Sequence, residues 1–237
     1  MNKQEIIWSA FSSDLGKNAY VLHDFVKEKK NSIFVDIGVR DGYSSAIFAL
    51  DTKENNNTVY GIDVNFNNLK VDLLENKTYF QIEGDSSTIG KYAEIQDLKE
   101  VDCIFVDSLH VREQVLCELY YWFPRLKDGG TVIFHDSHWP EDKKDKTGGK
   151  TWNRVDDAIK DFFGLKVLED YKDDNIEIKC YPDSWGMTFV TVKDVKNFVD
   201  SVKDWNQVFD TRNDLISVFW NESNVGNRVI ELRMKVE

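Results

Sequence analysis

The sequence predicts an α/β fold with a doubly wound, mostly parallel sheet and an antiparallel edge strand. Short apolar runs alternate with helical patterns over residues 31–135, which is typical of parallel strands joined by helices on both faces of a sheet. A glycine-containing turn separates the first run from its helix. Two strand-like segments within residues 175–193 favour an antiparallel pair. We therefore expect a Rossmann-like sheet of seven strands.

The parallel strands are predicted from apolar runs that stop at polar residues or glycine. These runs are NSIFVDIG, TVYGIDVN, TYFQIEGD, VDCIFVDS and TVIFHDSH, and the helical patterns between them are YSSAIFALDT, STIGKYAEIQDL and REQVLCELYYWFPRL. Further helices are expected within residues 14–30 and at residues 153–163. We expect residues 1–193 to form one domain with an N-terminal helix, and residues 194–237 to be a helical extension packed on it.

The chain is acidic, with 30 basic and 42 acidic residues and a net charge of −12. A protein that follows nucleic-acid phosphates needs a basic surface, so we expect no nucleic-acid partner. We find no signal-peptide pattern and no run of ~20 apolar residues, so we expect no membrane partner. The three cysteines show no paired spacing, which favours a reduced, cytoplasmic protein.

The turn after the first strand has the spacing Asp36-x-Gly38-x-x-x-Gly42. Glycine lets the backbone approach a ligand closely, so this turn predicts a ligand site. A nicotinamide-dependent oxidoreductase is one alternative, but its Gly-x-Gly-x-x-Gly fingerprint would place a glycine where this chain has Arg40. The acidic residue before the first glycine favours a cationic ligand over a diphosphate.

Aspartates follow one another at the ends of four successive predicted strands. They are Asp36, Asp63, Asp85 and Asp107. In parallel sheets, ligands bind outside the carboxyl ends of the strands. Asp63 lies roughly 20 residues beyond the glycine turn, where a carboxylate can accept hydrogen bonds from both hydroxyls of a ribose. Any one of the four could instead cap the following helix, but four in succession favour a binding site.

Two segments carry a family resemblance. VDIGVRDGYSS resembles the first motif of class I S-adenosylmethionine-dependent methyltransferases, and FVDSLHVREQV with LKDGGTVIFHDSH resembles their O-methyltransferase-like branch, which includes caffeoyl-CoA-type, sugar and macrolide enzymes. The resemblance spans residues 31–193. It implies S-adenosyl-L-methionine as cofactor, with the adenine held after the third strand. The cofactor-binding residues it implies are Asp36, Gly38, Arg40, Gly42, Ser44, Asp63, Asp85, Ser86 and Asp107.

The reaction site is predicted at the ends of the fourth and fifth strands. If these strands are neighbours, their ends lie about 4.8 Å apart, so that Asp107 and Asp136 could share one Mg²⁺. A metal-bound hydroxyl loses its proton more easily, and either His110 or His135 could accept that proton. Metal-dependent relatives usually have a further carboxylate or amide beside the second aspartate, whereas this chain has Ser137. The sequence alone therefore does not decide whether a metal is bound.

The acceptor is predicted only by class. Methyltransferases that act on amino groups of adenine or glutamine carry an Asn/Asp-Pro-Pro-aromatic segment, which the sequence lacks. We therefore expect O-methylation of a small molecule (a sugar, a natural product or a phosphorylated metabolite), with N-methylation as an alternative. Residues 139–152 are expected to form a lid whose lysines either attract an anionic substrate or are simply solvated. A non-catalytic S-adenosylmethionine-binding protein is the other alternative. Family habit implies a homodimer.

Overall fold

The computed structural model describes residues 1–50, 55–72, 78–87, 98–144 and 153–201. The helices in these ranges are α1 (Lys3–Phe11), α2 (Asn18–Val26), α3 (Tyr43–Phe48), α4 (Arg112–Trp122), α5 (Val155–Phe163) and α6 (Val195–Ser201). The strands are β1 (Ile33–Ile37), β2 (Thr58–Asp63), β3 (Tyr79–Glu83), β4 (Val101–Val106), β5 (Leu126–His135), β6 (Tyr171–Lys172), β7 (Ile176–Tyr181) and β8 (Met187–Val192).

The strands form one sheet in the order β3-β2-β1-β4-β5-β8-β7-β6. The first five pair in parallel, and β8 joins β5 in the antiparallel direction, followed by β7 and β6. The predicted α/β class with a mostly parallel sheet and antiparallel strands at one edge is confirmed. The predicted count of seven strands is wrong, because β6 pairs with β7 through only two residues and is too short to show an alternating pattern.

Hydrophobic residues cover both faces of the sheet, as a doubly wound fold requires. Phe34 of β1, Phe105 of β4 and Ile133 of β5 are fully buried on the face packed by α1, α2 and α3. The intervening strand residues, such as Val106 and Phe134, are buried on the opposite face together with side chains of α4 and α5. Because β1 to β5 run in parallel, their polar carboxyl ends lie at the same edge of the sheet.

The predicted helices lie at the expected positions, but several of them are shorter than predicted. The helix expected within residues 14–30 is the shorter α2, and α1 was not predicted, although Asn2 and Glu5 form a capping box at its start. Most of the helix expected at residues 87–98, and residues 202–237 of the C-terminal extension, lie outside the described residues. Within the described ranges, no helix has the length and apolar character needed to cross a bilayer.

Candidate active site

The glycine turn after β1 lies where the strand order reverses, between β1 and β4. Gly38 has a φ of 91°, and a Cβ built on it would overlap the backbone carbonyl of Asp107 at the end of β4. Only glycine permits this close approach. Arg40 has a φ of 46°, so the backbone at this position is left-handed despite the side chain. The turn therefore has the tight conformation that the glycine spacing predicted.

The side chain of Asp36 is hydrogen-bonded to the helix that follows this turn. Its side chain is fully buried in β1, and Oδ2 accepts hydrogen bonds from the hydroxyls of Ser44, at 2.9 Å, and of Ser45 in the first turn of α3. Burial raises the pKa of Asp36 to about 7, against the effect of the two serines. Among the described residues, Asp36 Oδ1 has no hydrogen-bond partner. The predicted acidic residue of the motif therefore points into the protein.

A cleft of about 90 Å³ opens between the glycine turn and the end of β4. Its wall includes Gly38, Arg40 and Ser44 of the predicted cofactor site, together with Asp107, His110 and the N-terminal residue Asp14. Asp63 joins the ends of β1 and β2, because its carboxylate accepts the backbone N–H of Arg40 at 2.8 Å and that of Asn65 at 3.2 Å. Burial raises the pKa of Asp63, although these N–H groups oppose the shift.

The end of β3 is tied to helix α4. Asp85 Oδ1 accepts the backbone N–H of Ser87 at 3.0 Å and its hydroxyl at 2.6 Å. The hydroxyl of Ser86 donates to Oε1 of Glu118, and the backbone carbonyl of Ser86 accepts the indole N–H of Trp122 at 2.8 Å. Asp85 and Ser86 thus lie at a strand end as predicted, with the Ser86 side chain turned towards α4.

Glu118 is a buried acidic residue that the sequence analysis missed. Its side chain is fully buried, and Oε1 accepts hydrogen bonds from the hydroxyls of Ser86 and Ser108 and from Nε2 of Gln114, the last at 3.0 Å. Oε2 has no hydrogen-bond partner in the described part of the chain. Burial raises the pKa of Glu118 to about 7 against these three donors. Through Ser86 and Ser108, Glu118 therefore connects the ends of β3 and β4 to helix α4.

The structure brings together the four residues predicted for the reaction site. Nε2 of His110 lies 3.3 Å from Oδ1 of Asp107 and 3.0 Å from Oδ2 of Asp136. Nδ1 of His135 lies 3.2 Å from Oδ1 of Asp107 and 3.6 Å from Oδ1 of Asp136. Asp136 has a φ of 53°, an unfavourable conformation for this residue that directs its carboxylate into the cluster.

The four side chains strongly affect one another's ionisation. Burial disfavours the charged form of Asp107, but His135 and His110 outweigh it and hold the pKa of Asp107 well below its ordinary value. Burial lowers the pKa of His135, yet Asp107 and Asp136 raise it to about 9. The same two aspartates raise the pKa of His110 against burial, while burial raises the pKa of Asp136. The two aspartates therefore favour the protonated form of both histidines.

Three members of the cluster have the donor atoms of a metal site. Asp107, His110 and Asp136 each offer one ligand atom, and these atoms lie within 4.8 Å of one another. Asp136 Oδ1 has no hydrogen-bond partner in the described part of the chain, which suits coordination. The donor set therefore fits a divalent cation, and it includes the two aspartates predicted for this role. His110 is a third potential ligand that the sequence pattern did not indicate.

The residues after Asp136 border the other side of the cluster. The hydroxyl of Ser137 lies 2.8 Å from Oγ1 of Thr188 and 3.0 Å from Nδ1 of His138, so it is engaged outside the donor set. Trp139 stacks on Trp185 of the β7–β8 loop, with ring centroids 4.1 Å apart. These contacts fix the first residues of the predicted lid.

The lysines of the predicted lid differ in what the structure shows of them. Lys144 is buried and pairs with Glu141 at 2.6 Å and with Asp156 at 2.8 Å. Lys144 therefore fits neither alternative, because it is not solvated and its charge is already paired within the protein. Lys146 and Lys150 lie outside the described residues.

Comparison with known proteins gives a match to a protein family and to solved structures. Residues 35–137 match the profile of the family described as a methyltransferase domain. The fold is similar to a putative caffeoyl-CoA O-methyltransferase from Staphylococcus aureus, with 18% identity, a TM-score of 0.56, and coverage of 73% of this chain and 81% of that one. It is also similar to the S-adenosylhomocysteine-bound Podospora anserina methyltransferase PaMTH1, with 15% identity, a TM-score of 0.54, and coverage of 82% and 89%.

A third similar structure is MycE, from the mycinamycin biosynthetic pathway, in complex with Mg, S-adenosylhomocysteine and mycinamycin VI. It shares 17% identity at a TM-score of 0.52, over 80% of this chain and 54% of MycE, so this chain spans about half of that protein. A search of curated protein sequences gives no significant match.

The structure thus has an α/β fold with a cleft at the switch in strand order, which is where parallel sheets of this kind bind ligands. With the match of residues 35–137 to a methyltransferase domain, the resemblance to class I S-adenosylmethionine-dependent methyltransferases read from the glycine turn is confirmed.

Proposed function

We propose that the protein transfers the methyl group of S-adenosylmethionine to a hydroxyl oxygen of a small molecule. The observation that carries this proposal is the cluster of Asp107, His110, His135 and Asp136 beside the cleft. A site for methyl transfer must bind the donor, hold the acceptor oxygen in line with the methyl carbon, and remove the hydroxyl proton. The cluster is suited to the last two tasks. Its presence also favours an enzyme over a non-catalytic cofactor-binding protein.

S-adenosylmethionine supplies a methyl group on a sulfonium sulfur, which keeps the bonding electron pair when the acceptor oxygen bonds to the methyl carbon. The hydroxyl proton must then leave to a base. His110 is better placed for this role than His135, because His110 lines the cleft whereas His135 is only 1% exposed. We assign His135 the role of orienting Asp107 through its Nδ1, and Asp136 that of directing His110.

A divalent cation such as Mg²⁺ would be held by Asp107 and Asp136, with His110 within reach of both. Bound there, it would lower the pKa of an acceptor hydroxyl and neutralise the two charges that keep a proton on His110. His110 Nε2 cannot be a metal ligand and a base at once, so we assign the metal to the two aspartates. The Mg in the MycE complexes supports a divalent cation in the proposed reaction.

The net charge and the names of similar structures support the proposed class of acceptor. We propose a sugar, a natural product or a phosphorylated metabolite, and no nucleic acid, because the chain carries a net charge of −12. The name of one similar structure, a putative caffeoyl-CoA O-methyltransferase, supports oxygen as the acceptor atom.

The decisive experiment combines binding and turnover. S-adenosylmethionine and S-adenosylhomocysteine should raise the melting temperature of the protein, and NAD should not, because a ligand stabilises only the state that binds it. S-adenosylhomocysteine release should then be screened with nucleotide sugars and phenols as acceptors. Stabilisation by NAD alone would reverse the proposal. Binding of S-adenosylmethionine without turnover on any acceptor pool would favour a non-catalytic binding protein.

A further inference from the structure

An ion pair crosses the mouth of the cofactor cleft. The guanidinium Nη1 of Arg40, in the glycine turn, contacts the carboxylate of Asp14, which lies between α1 and α2. Both residues line the cleft. Asp14 lies outside residues 35–137, the part of the chain that matches the methyltransferase family.

The cleft is too small to receive a nucleotide cofactor while this pair is closed. Its volume is about 90 Å³, whereas pockets for ligands of this size usually hold roughly 300 Å³ or more. The side chains of Arg40 and Asp14 are 66% and 45% exposed, so solvent screens their attraction and the pair costs little to separate. Opening the pair would widen the cleft and expose one positive and one negative group on its wall.

The other carboxylates at this end of the sheet are already engaged. Asp36 is buried and accepts two serine hydroxyls, and Asp63 accepts the backbone N–H groups of Arg40 and Asn65. Asp41 pairs with Lys70 at 2.8 Å. Asp107 is held by two histidines, as described above. The side chain of Asp41 is only 16% exposed, whereas that of Asp14 is 45% exposed and its described partner is the exposed side chain of Arg40.

The lining of the cleft places the ion pair beside the reaction cluster. Asp14 and Arg40 line the same cleft as Asp107 and His110. The pair therefore lies on the wall of the cleft next to the residues proposed for methyl transfer.

We infer that Asp14 is a further cofactor-binding residue, and that cofactor binding exchanges the partners of the Asp14–Arg40 pair. The methionine part of the cofactor carries an ammonium group and a carboxylate on one carbon. Asp14 takes the ammonium group, and Arg40 takes the carboxylate. Two charge-assisted hydrogen bonds to the ligand replace one ion pair within the protein. This inference rests on the proposed function, because it requires an S-adenosylmethionine site in this cleft.

Isothermal titration of Asp14→Asn with two ligands tests the inference. S-adenosylhomocysteine has the amino-acid group, whereas methylthioadenosine lacks it and keeps the nucleoside. The variant should bind S-adenosylhomocysteine about 10- to 100-fold more weakly and bind methylthioadenosine as the wild type does. Arg40→Gln should show the same selective loss. Asp24→Asn, which removes an exposed carboxylate paired with Lys27 on α2, is the matched control and should change neither affinity.

Each of the remaining outcomes of this titration leads to a single conclusion. Unchanged or tighter binding of S-adenosylhomocysteine by Asp14→Asn would overturn the inference, since the pair would then be only a latch. Equal losses for both ligands would also overturn it, because they would indicate a damaged cleft. Failure of the folded wild-type protein to bind S-adenosylhomocysteine would instead overturn the proposed function.

Discussion

Glu118 makes the free energy of unfolding fall as the pH rises, and a single substitution can test this dependence. The folded chain raises its pKa to about 7 from the ordinary 4.5 of a glutamate, mainly by burial. The folded state therefore holds the proton more tightly than the unfolded state does. This contribution to the free energy of unfolding is complete below about pH 4.5 and is lost as the pH rises through about 7. Its full size is about 3 kcal/mol.

Glu118→Gln removes this titration and keeps an oxygen that can accept the hydrogen bonds of Ser86, Ser108 and Gln114. About 2 kcal/mol of the pH dependence falls between about pH 5.5 and pH 8.5, a window above the isoelectric point. Urea unfolding should be measured at several pH values in this window, without cofactor. As the pH rises, the free energy of unfolding of the variant should increase by about 2 kcal/mol relative to that of the wild type. The constant cost of burying the amide cancels, because only the change of this difference with pH is used.

Glu177→Gln is the matched control. Glu177 is a partly exposed carboxylate whose pKa is lowered by Lys172 and Lys179, so it stays ionised throughout the window. Its substitution should shift the free energy of unfolding equally at every pH. If the Glu118→Gln difference were also independent of pH, burial would not be raising the pKa of Glu118, and the reasoning would be refuted.

The remaining predictions concern the site. Asp63→Ala should weaken S-adenosylhomocysteine binding about 10-fold or more in a calorimetric titration, whereas Asp136→Ala should spare binding and reduce turnover about 100-fold; unchanged turnover in the second variant would remove Asp136 from the reaction centre. Excess EDTA should abolish activity and Mg²⁺ should restore it, while full activity in EDTA would exclude the metal. Gly38→Ala should lower the stability by about 2–4 kcal/mol in urea unfolding, because its Cβ would overlap the carbonyl of Asp107 in a backbone with positive φ; a change below about 0.5 kcal/mol would show that the turn adapts.

The amino-acid pattern alone determined the α/β class, the parallel strands and the glycine turn, because these depend on short-range features. Apolar runs, glycine spacing and polar strand ends are all visible within about 10 residues. The same pattern predicted that Asp107 and Asp136 lie together, since adjacent parallel strands end at the same edge and only one pairing of β4 with β5 had to be assumed.

The tertiary structure decided which way the side chains point and which distant segments meet. Asp36 points into the core and Glu118 is buried behind the β3 and β4 ends, because burial depends on packing between residues far apart in the chain. Arg40 contacts Asp14, 26 positions earlier, although no local pattern marks either residue as a partner. The glycine turn could thus be predicted from the sequence. The ion pair of Arg40 and Asp14 across its cleft forms only when α1, α2 and the sheet pack together.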